Sequence, residues 1–330
     1  MLRHTWIVLA AAAFGLCLAG CQSNESPAPT GKSPDKGGKK QLVVGFAQTG
    51  AESSWRTAET ESMKKEADKR GAKLLISFGQ GQQDNQIKAI RSFISQKVDA
   101  IVLAPIVETG WDTVLAEAKK AGIPVLLVDR GVKVADDSLY ATLIASDFVA
   151  EGEMAAEWLG KKMGGKGNVV ELKGTTGAAP AIDREKGFHA VLEKSFPYMK
   201  VIAGQTGDFK MAEGKKVMQA IIKAKGKDIQ AVYAHNDDMA LGAIQALEEA
   251  NMSPGKDVIV VSIDGVKGAF EAMVKGTLSA TVECNPLFGP ITFDTLGKAL
   301  AGEKLPKYIK NEDKLFDQSV AAQVIGSREY

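Results

Sequence analysis

The sequence predicts an α/β protein made of two doubly wound domains, each built on a parallel sheet. Two observations carry this expectation: short β-branched runs alternate with amphipathic stretches, and the alternation starts afresh after Asp147. Parallel strands need a crossover connection, and a helix supplies it, so alternation of this kind implies parallel pairing. The length of 330 residues agrees, because single hydrophobic cores stop growing at roughly 250 to 300 residues.

In the first half the strands are LVVGFA from Leu42, then Lys73 to Phe78, Ala100 to Ala104 and Pro124 to Val128. Between the second and third, Ile87, Ile90, Ile94 and Val98 recur at spacings of three and four, which puts them on the core face of a helix. In the second half a helix runs from Asp147 to Met163, followed by a strand from Asn168 to Leu172 and a helix around Asp183 to Lys194. Strands then follow at Ile229 to Ala234, at Val258 to Ile263 and in TLSATVE, which ends at Glu283.

Ahead of these elements, Arg3 and His4 precede an apolar run from Trp6 to Leu18 that ends in Leu18-Ala19-Gly20-Cys21. Residues 1–20 read as a signal peptide, because the run is shorter than the about 20 apolar residues that span a bilayer. Leu18 to Cys21 resemble a bacterial lipobox, which implies an exported chain tied to a membrane through lipid on Cys21, at the outer face of the cytoplasmic membrane or in the periplasm. Cys17 then leaves with the signal, and Cys284 remains as a free thiol. Residues 21–41, rich in Ser, Pro, Gly and Lys, are expected to form a flexible tether, since they bury too little apolar surface to offset ordering entropy.

The composition, 45% hydrophobic and 25% charged with a net charge of +1, is globular and offers no field for nucleic acid. A repressor would need a helix-turn-helix where the signal and tether stand. Gly79-Gln80-Gly81 follows a strand as a dinucleotide loop would, but Asp84 stands where the third glycine belongs, so no cofactor is expected. His189 and His235 lie far apart in sequence without paired ligand spacing, so no metal is expected either. Trp111 is read as a staple at a helix start.

In open parallel sheets ligands gather beyond the carboxyl ends of the strands, so polar residues there are the candidate site. After the first strand come Glu52, Ser53, Ser54, Trp55 and Arg56, an aromatic ring beside a fixed fork of donors. After the fourth come Asp129 and Arg130, an acceptor beside a second fork. The second half offers Arg184 at a helix start, Asn236 after YAH, Asp264 after Ile263, and Glu283. Each residue singly reads as a turn former or cap. Together they suit hydroxyl groups, which both donate and accept. Asp129, Asp264 and Glu283 also admit a glycosidase reading, but Arg56, Arg130 and Arg184 are expected to keep these carboxylates ionised, whereas a general acid needs a raised pKa.

The segments AQTGAESSWRTAET, GQGQQDNQIKAIRSF, VDAIVLAP, PVLLVDR, GAAPAIDREKGF, VYAHNDDMALGAIQAL and VSIDGV, in this order, resemble the ribose-type periplasmic sugar-binding proteins of ABC importers. The likeness covers Leu42 to near Lys310 and runs most strongly toward galactofuranose binding. It implies a non-enzymatic, monomeric receptor that captures a monosaccharide by hinge closure and delivers it to a permease; a glycoside-processing enzyme using Asp129, Asp264 and Glu283, or a sugar sensor serving a signalling receptor, is the alternative. It further implies that Trp55 stacks on the sugar, that Glu52, Ser53, Ser54, Arg56, Asp129 and Arg130 line one side, and that Arg184, Asn236, Asp264 and Glu283 close from the other. Ribose binders usually carry a second aromatic where Arg56 stands, which points away from ribose. The resemblance also implies a three-strand hinge, with crossings near Ser146-Asp147, near Glu283-Cys284 and at about residues 309 to 313. The expected lobes are 42–146 plus 284–311 and 147–283 plus 312–330.

Overall fold

The computed structural model describes residues 40–330. The expected signal peptide, the lipidation at Cys21 and the tether up to residue 39 lie outside the described residues.

The first run of elements is β1 (Val43–Gln48), α1 (Ser54–Lys69), β2 (Lys73–Phe78), α2 (Gln83–Ser95), β3 (Ala100–Leu103), α3 (Asp112–Lys120), β4 (Val125–Val128) and β5 (Thr142–Ala145). The second is α4 (Phe148–Lys162), β6 (Lys166–Lys173), α5 (Ala179–Ser195), β7 (Tyr198–Thr206), α6 (Met211–Lys225), β8 (Ala231–Ala234), α7 (Asp237–Glu249), β9 (Ile259–Asp264), α8 (Lys267–Lys275) and β10 (Ala280–Glu283). The chain then adds α9 (Gly289–Leu300), β11 (Tyr308–Lys310), β12 (Leu315–Asp317) and α10 (Gln318–Val324). The strands form two six-stranded sheets, ordered β11-β5-β4-β3-β1-β2 and β12-β10-β9-β8-β6-β7.

Neighbouring strands are parallel except at β12, which lies antiparallel on β10 with Val282 opposite Leu315 and Ala280 opposite Asp317. The reason is direction of entry. β10 ends at Glu283 on the side where the chain leaves the sheet, and β12 re-enters from that side, so it must run back along its neighbour. β11 leaves the first sheet beside β5, parallel to it. The chain therefore passes between the sheets after β5, after β10 and between β11 and β12.

Two strand ends carry backbone strain. Asp129, just after β4, has φ 62, and Asp264, the last residue of β9, has φ 133. Neither is glycine, and such conformations cost of order 1–3 kcal/mol each and cluster at functional sites. The close crossing of α4 and α5 fixes a third site residue. A Cβ on Gly152 would lie 2.3 Å from the Arg184 carbonyl oxygen, and one on Gly187 would lie 2.1 Å from that of Val149. Only glycine at both points lets the two backbones touch, which brings Arg184 on α5 within reach of Glu151 on α4. Among the described residues, no helix is long and apolar enough to cross a membrane.

Candidate functional site

Strand ends of both sheets meet at one cleft, whose remaining space is about 20 Å³. From the first sheet Glu52, Ser53, Trp55, Arg56, Asp129 and Arg130 line it; from the second, Pro180, Arg184, Phe209, Asn236 and Asp264; Cys284 lines it from the crossing after β10.

Arg56 is the hub of the first side. It donates to Glu59 at 2.5 Å, to Asp129 at 2.6 Å and to Glu52 at 3.3 Å, while 3% exposed. Its guanidinium lies 4.7 Å from the Trp55 ring centre. Ser53 caps α1 by accepting from the Arg56 N–H, which seats that residue at the first turn. The Trp55 indole donates to the Cys284 carbonyl at 2.5 Å and meets Phe288 edge-on at 6.1 Å, so both hinge and cleft hold the ring. Arg130 lies 3.3 Å from Asp129 and 3.6 Å from Glu52, and its Nε has no hydrogen-bond partner. Its guanidinium stands 5.3 Å from the ring of Phe209, which comes from the opposite sheet.

Arg184 is the hub of the second side. It donates to Glu151 at 2.7 Å and to the His235 carbonyl at 2.5 Å, and lies 3.7 Å from Asp264. Asn236 caps α7 through Met239 and also donates to the Phe209 carbonyl, so its role as a helix cap and its place in the cleft coexist.

The carboxylates do not behave uniformly, which corrects the expectation that the arginines keep them all ionised. At Glu52 burial pushes the pKa up, but Arg56 and Arg130 together outweigh it, and the carboxyl sits below its ordinary value. At Asp264 burial dominates and the pKa rises well above the usual range despite Arg184, because 3.7 Å is too far for a direct hydrogen bond.

Two expected site residues lie elsewhere. Glu283 does not line the cleft: Arg328 donates to it at 2.6 Å and the Tyr330 hydroxyl at 3.3 Å, both from the C-terminal tail that follows α10. Ser54 faces Asp238 across the interface, to which it donates from both its N–H and its hydroxyl. Arg184 sits in the second turn of α5 instead of at its start, because Pro180 opens the helix earlier than expected. Trp111 is fully buried and donates to the Val107 carbonyl four residues back. His189 and His235, far apart in sequence, converge on the buried Glu171, each at 3.0 Å. Lys173 also stands 3.8 Å from Glu171 and pairs with Glu185, so an ammonium already occupies the cluster of Glu171, Glu185 and His189.

Phe209, Pro180 and Asp238 escaped the sequence reading. The strand β7 that delivers Phe209 carries no readable strand pattern, since Lys200, Gly204 and Gln205 break its alternation. An aromatic in DFKM shortly after that run was the available signal.

A closed cleft in which aromatic rings and arginine–carboxylate pairs from two sheets converge, with Arg56 and Arg184 already matched by acceptors, has the form of a receptor that encloses a small polar ligand. Residues 44–304 match the periplasmic binding protein domain, and the chain belongs to that family. It is 52% identical over 269 residues to the galactofuranose-binding protein YtfQ of Escherichia coli (strain K12), covering 81% of this chain and 84% of that one. The structure of the periplasmic binding protein of the arabinose ABC transporter from Shewanella sp. ANA-3, bound to α- and β-L-arabinofuranose, superposes with a TM-score of 0.85 at 49% identity, covering 87% of this chain and 96% of the other. A Mycobacterium smegmatis structure in complex with β-D-fucofuranose also gives 0.85, at 46% identity, covering 88% and 95%.

Proposed function

We propose that this chain is the substrate-binding component of an ABC importer that captures a monosaccharide in its furanose form, galactofuranose or a related pentose or hexose, and hands it to the permease. The observation that carries the reading is the pair of hubs, Arg56 and Arg184, one on each sheet and both lining a single cleft. Polyhydroxylated rings need donors and acceptors on all sides, and apolar faces such as Trp55 and Phe209 suit the C–H surfaces of the ring. Furanoses in the related structures and galactofuranose in the name of the Escherichia coli relative support the ring form.

The proposal includes two lobes, 42–146 plus 284–311 and 147–283 plus 312–330, that swing about the three crossings. It includes a monomeric state. It also includes export, with Cys21 as a lipidated N-terminus; mass spectrometry of the mature chain tests this, and an unmodified thiol there would remove the anchor. Titration calorimetry of the mature domain with galactose, L-arabinose, D-fucose and ribose, with the ring form of bound ¹³C-labelled sugar read by NMR, tests the ligand. Furanose signals from at least one sugar are expected. Absence of binding to all four, or capture of pyranose rings alone, would overturn the reading.

A further inference from the structure

Next to the sugar cleft lies a second space of about 300 Å³, fifteen-fold larger than the room left around the two arginine hubs. Glu52 and Arg130 line both, so the two spaces abut on the same pair of side chains. Like the cleft, the second space is walled from both sheets: Gln80 and Ala51 stand on the first side, Thr175, Asp208 and Lys210 on the second.

We infer that this space is a second subsite, for a neutral hydroxylated group joined to the captured sugar, so that the receptor takes furanosides and short furanose-containing saccharides as well as the free monosaccharide. The inference rests on the sugar-binding reading. Three features select the class of ligand. The charged groups balance, with Glu52 and Asp208 against Arg130 and Lys210, so neither a phosphate nor an ammonium ligand finds a net field. The remaining polar side chains, the Gln80 amide and the Thr49 and Thr175 hydroxyls, both donate and accept, as sugar hydroxyls require. The volume of about 300 Å³ reaches the lower end of the roughly 300 to 1,000 Å³ of ordinary small-molecule sites.

Arg130 links the two spaces. It is 3% exposed, and its Nε lacks a hydrogen-bond partner although Asp129 lies 3.3 Å away. A buried donor of this kind gains most from a ligand oxygen placed at the junction, the position a glycosidic oxygen would take.

Titration calorimetry with free galactose, methyl galactofuranoside and a galactofuranosyl-galactofuranose disaccharide, on the wild type and on Ala51→Trp and Lys210→Ala, tests the inference. The disaccharide is expected to bind within threefold of the monosaccharide or more tightly. Ala51→Trp is expected to weaken the disaccharide at least tenfold while changing the monosaccharide less than threefold, and Lys210→Ala, which adds no bulk, to weaken the disaccharide severalfold. Monosaccharide binding with a disaccharide at least tenfold weaker would overturn the subsite and leave the sugar reading standing. Failure of all three sugars to bind would overturn both.

Discussion

The carboxylate of Asp238, at the start of α7, accepts the backbone N–H of Ser54 at 3.1 Å and its hydroxyl at 2.6 Å. Ser54 opens α1, whose first N–H groups have no partner within the helix, and a negative charge there is favoured by the helix dipole. Asp238 is therefore a cap supplied from the opposite sheet. A second link, the Glu108 N–H to the Gly177 carbonyl at 3.0 Å, also joins the two sides.

This cap predicts how closure sets affinity. Apparent affinity scales with the fraction of molecules in the binding-competent state. Asp238→Ala removes two hydrogen bonds that join the two sides of the cleft and, on the proposed swing of the lobes, is expected to weaken sugar binding by about 1–2 kcal/mol, roughly fivefold to thirtyfold. Small-angle scattering of the sugar-bound variant should show a larger radius of gyration than the wild type. Unchanged affinity together with an unchanged radius would rule the cap out as a closure device.

Trp55 serves the hinge through its indole N–H and the cleft through its ring, and the two roles separate by substitution. Trp55→Phe keeps an aromatic face but loses the bond to the Cys284 carbonyl, and should cost about 0.5–1.5 kcal/mol in binding. Trp55→Ala loses the face as well and should cost on the order of 1 to 3 kcal/mol. Equal losses measured by calorimetry would mean that the ring does not touch the sugar.

The Glu283 carboxylate, held by Arg328, predicts a stability effect in place of a binding effect. Both side chains are nearly buried, at 12% and 8% exposure, and Arg328 also donates to the Gly265 carbonyl at 2.6 Å. Arg328→Ala leaves a buried carboxylate without its cation and should destabilise the fold by about 3 kcal/mol in urea unfolding. Glu283→Gln should leave sugar affinity within threefold of the wild type. A tenfold loss of affinity on Glu283→Gln with stability intact would return Glu283 to the binding site.

What could be read ahead of the structure follows from burial. β1, β3, β4, β8 and β9 are buried parallel strands, so their sequences are near-continuous apolar runs. β7 is an edge strand whose exposed positions carry polar residues, and β11 and β12 have three residues each, too few for a pattern. Strand-end residues such as Asp129, Arg130 and Asp264 were legible because topology puts ligands there. The Ser54–Asp238 bond spans 184 residues and the Glu283–Arg328 bond 45, and both arise from tertiary closure that no local spacing encodes. Glu283 has the position of a ligand residue, but the tail reaches it first.

The Glu171 cluster predicts an acid-sensitive stability with a definite sign. Burial pushes the Glu171 carboxyl up, but its hydrogen bonds to His189 and His235 outweigh this and hold it at about 2, below its ordinary 4.5. A depressed carboxyl stabilises the fold above the unfolded pKa, and that contribution is lost as pH falls through the folded value. The shift is worth on the order of 3 kcal/mol, present above about pH 4.5 and lost between there and pH 2. The two histidines act in opposite senses near neutrality. His189 has a raised pKa, chiefly from its bond to Glu171, so its contribution is full below 6.5 and is lost as pH rises through the raised value. His235 has a lowered pKa because it is buried, so the unfolded chain takes up its proton first and stability falls as pH drops below 6.5. With these opposed, the part of this cluster's contribution that is lost below pH 4.5 belongs mainly to Glu171, and the comparison with Glu171→Gln separates it from other lowered carboxyls such as Asp136. Urea unfolding of the wild type and Glu171→Gln at pH 7, 5 and 3 should show a gap of a few kcal/mol at pH 7 and 5 that narrows by pH 3. Parallel stability curves across that range would mean that Glu171 is not held ionised by its histidines.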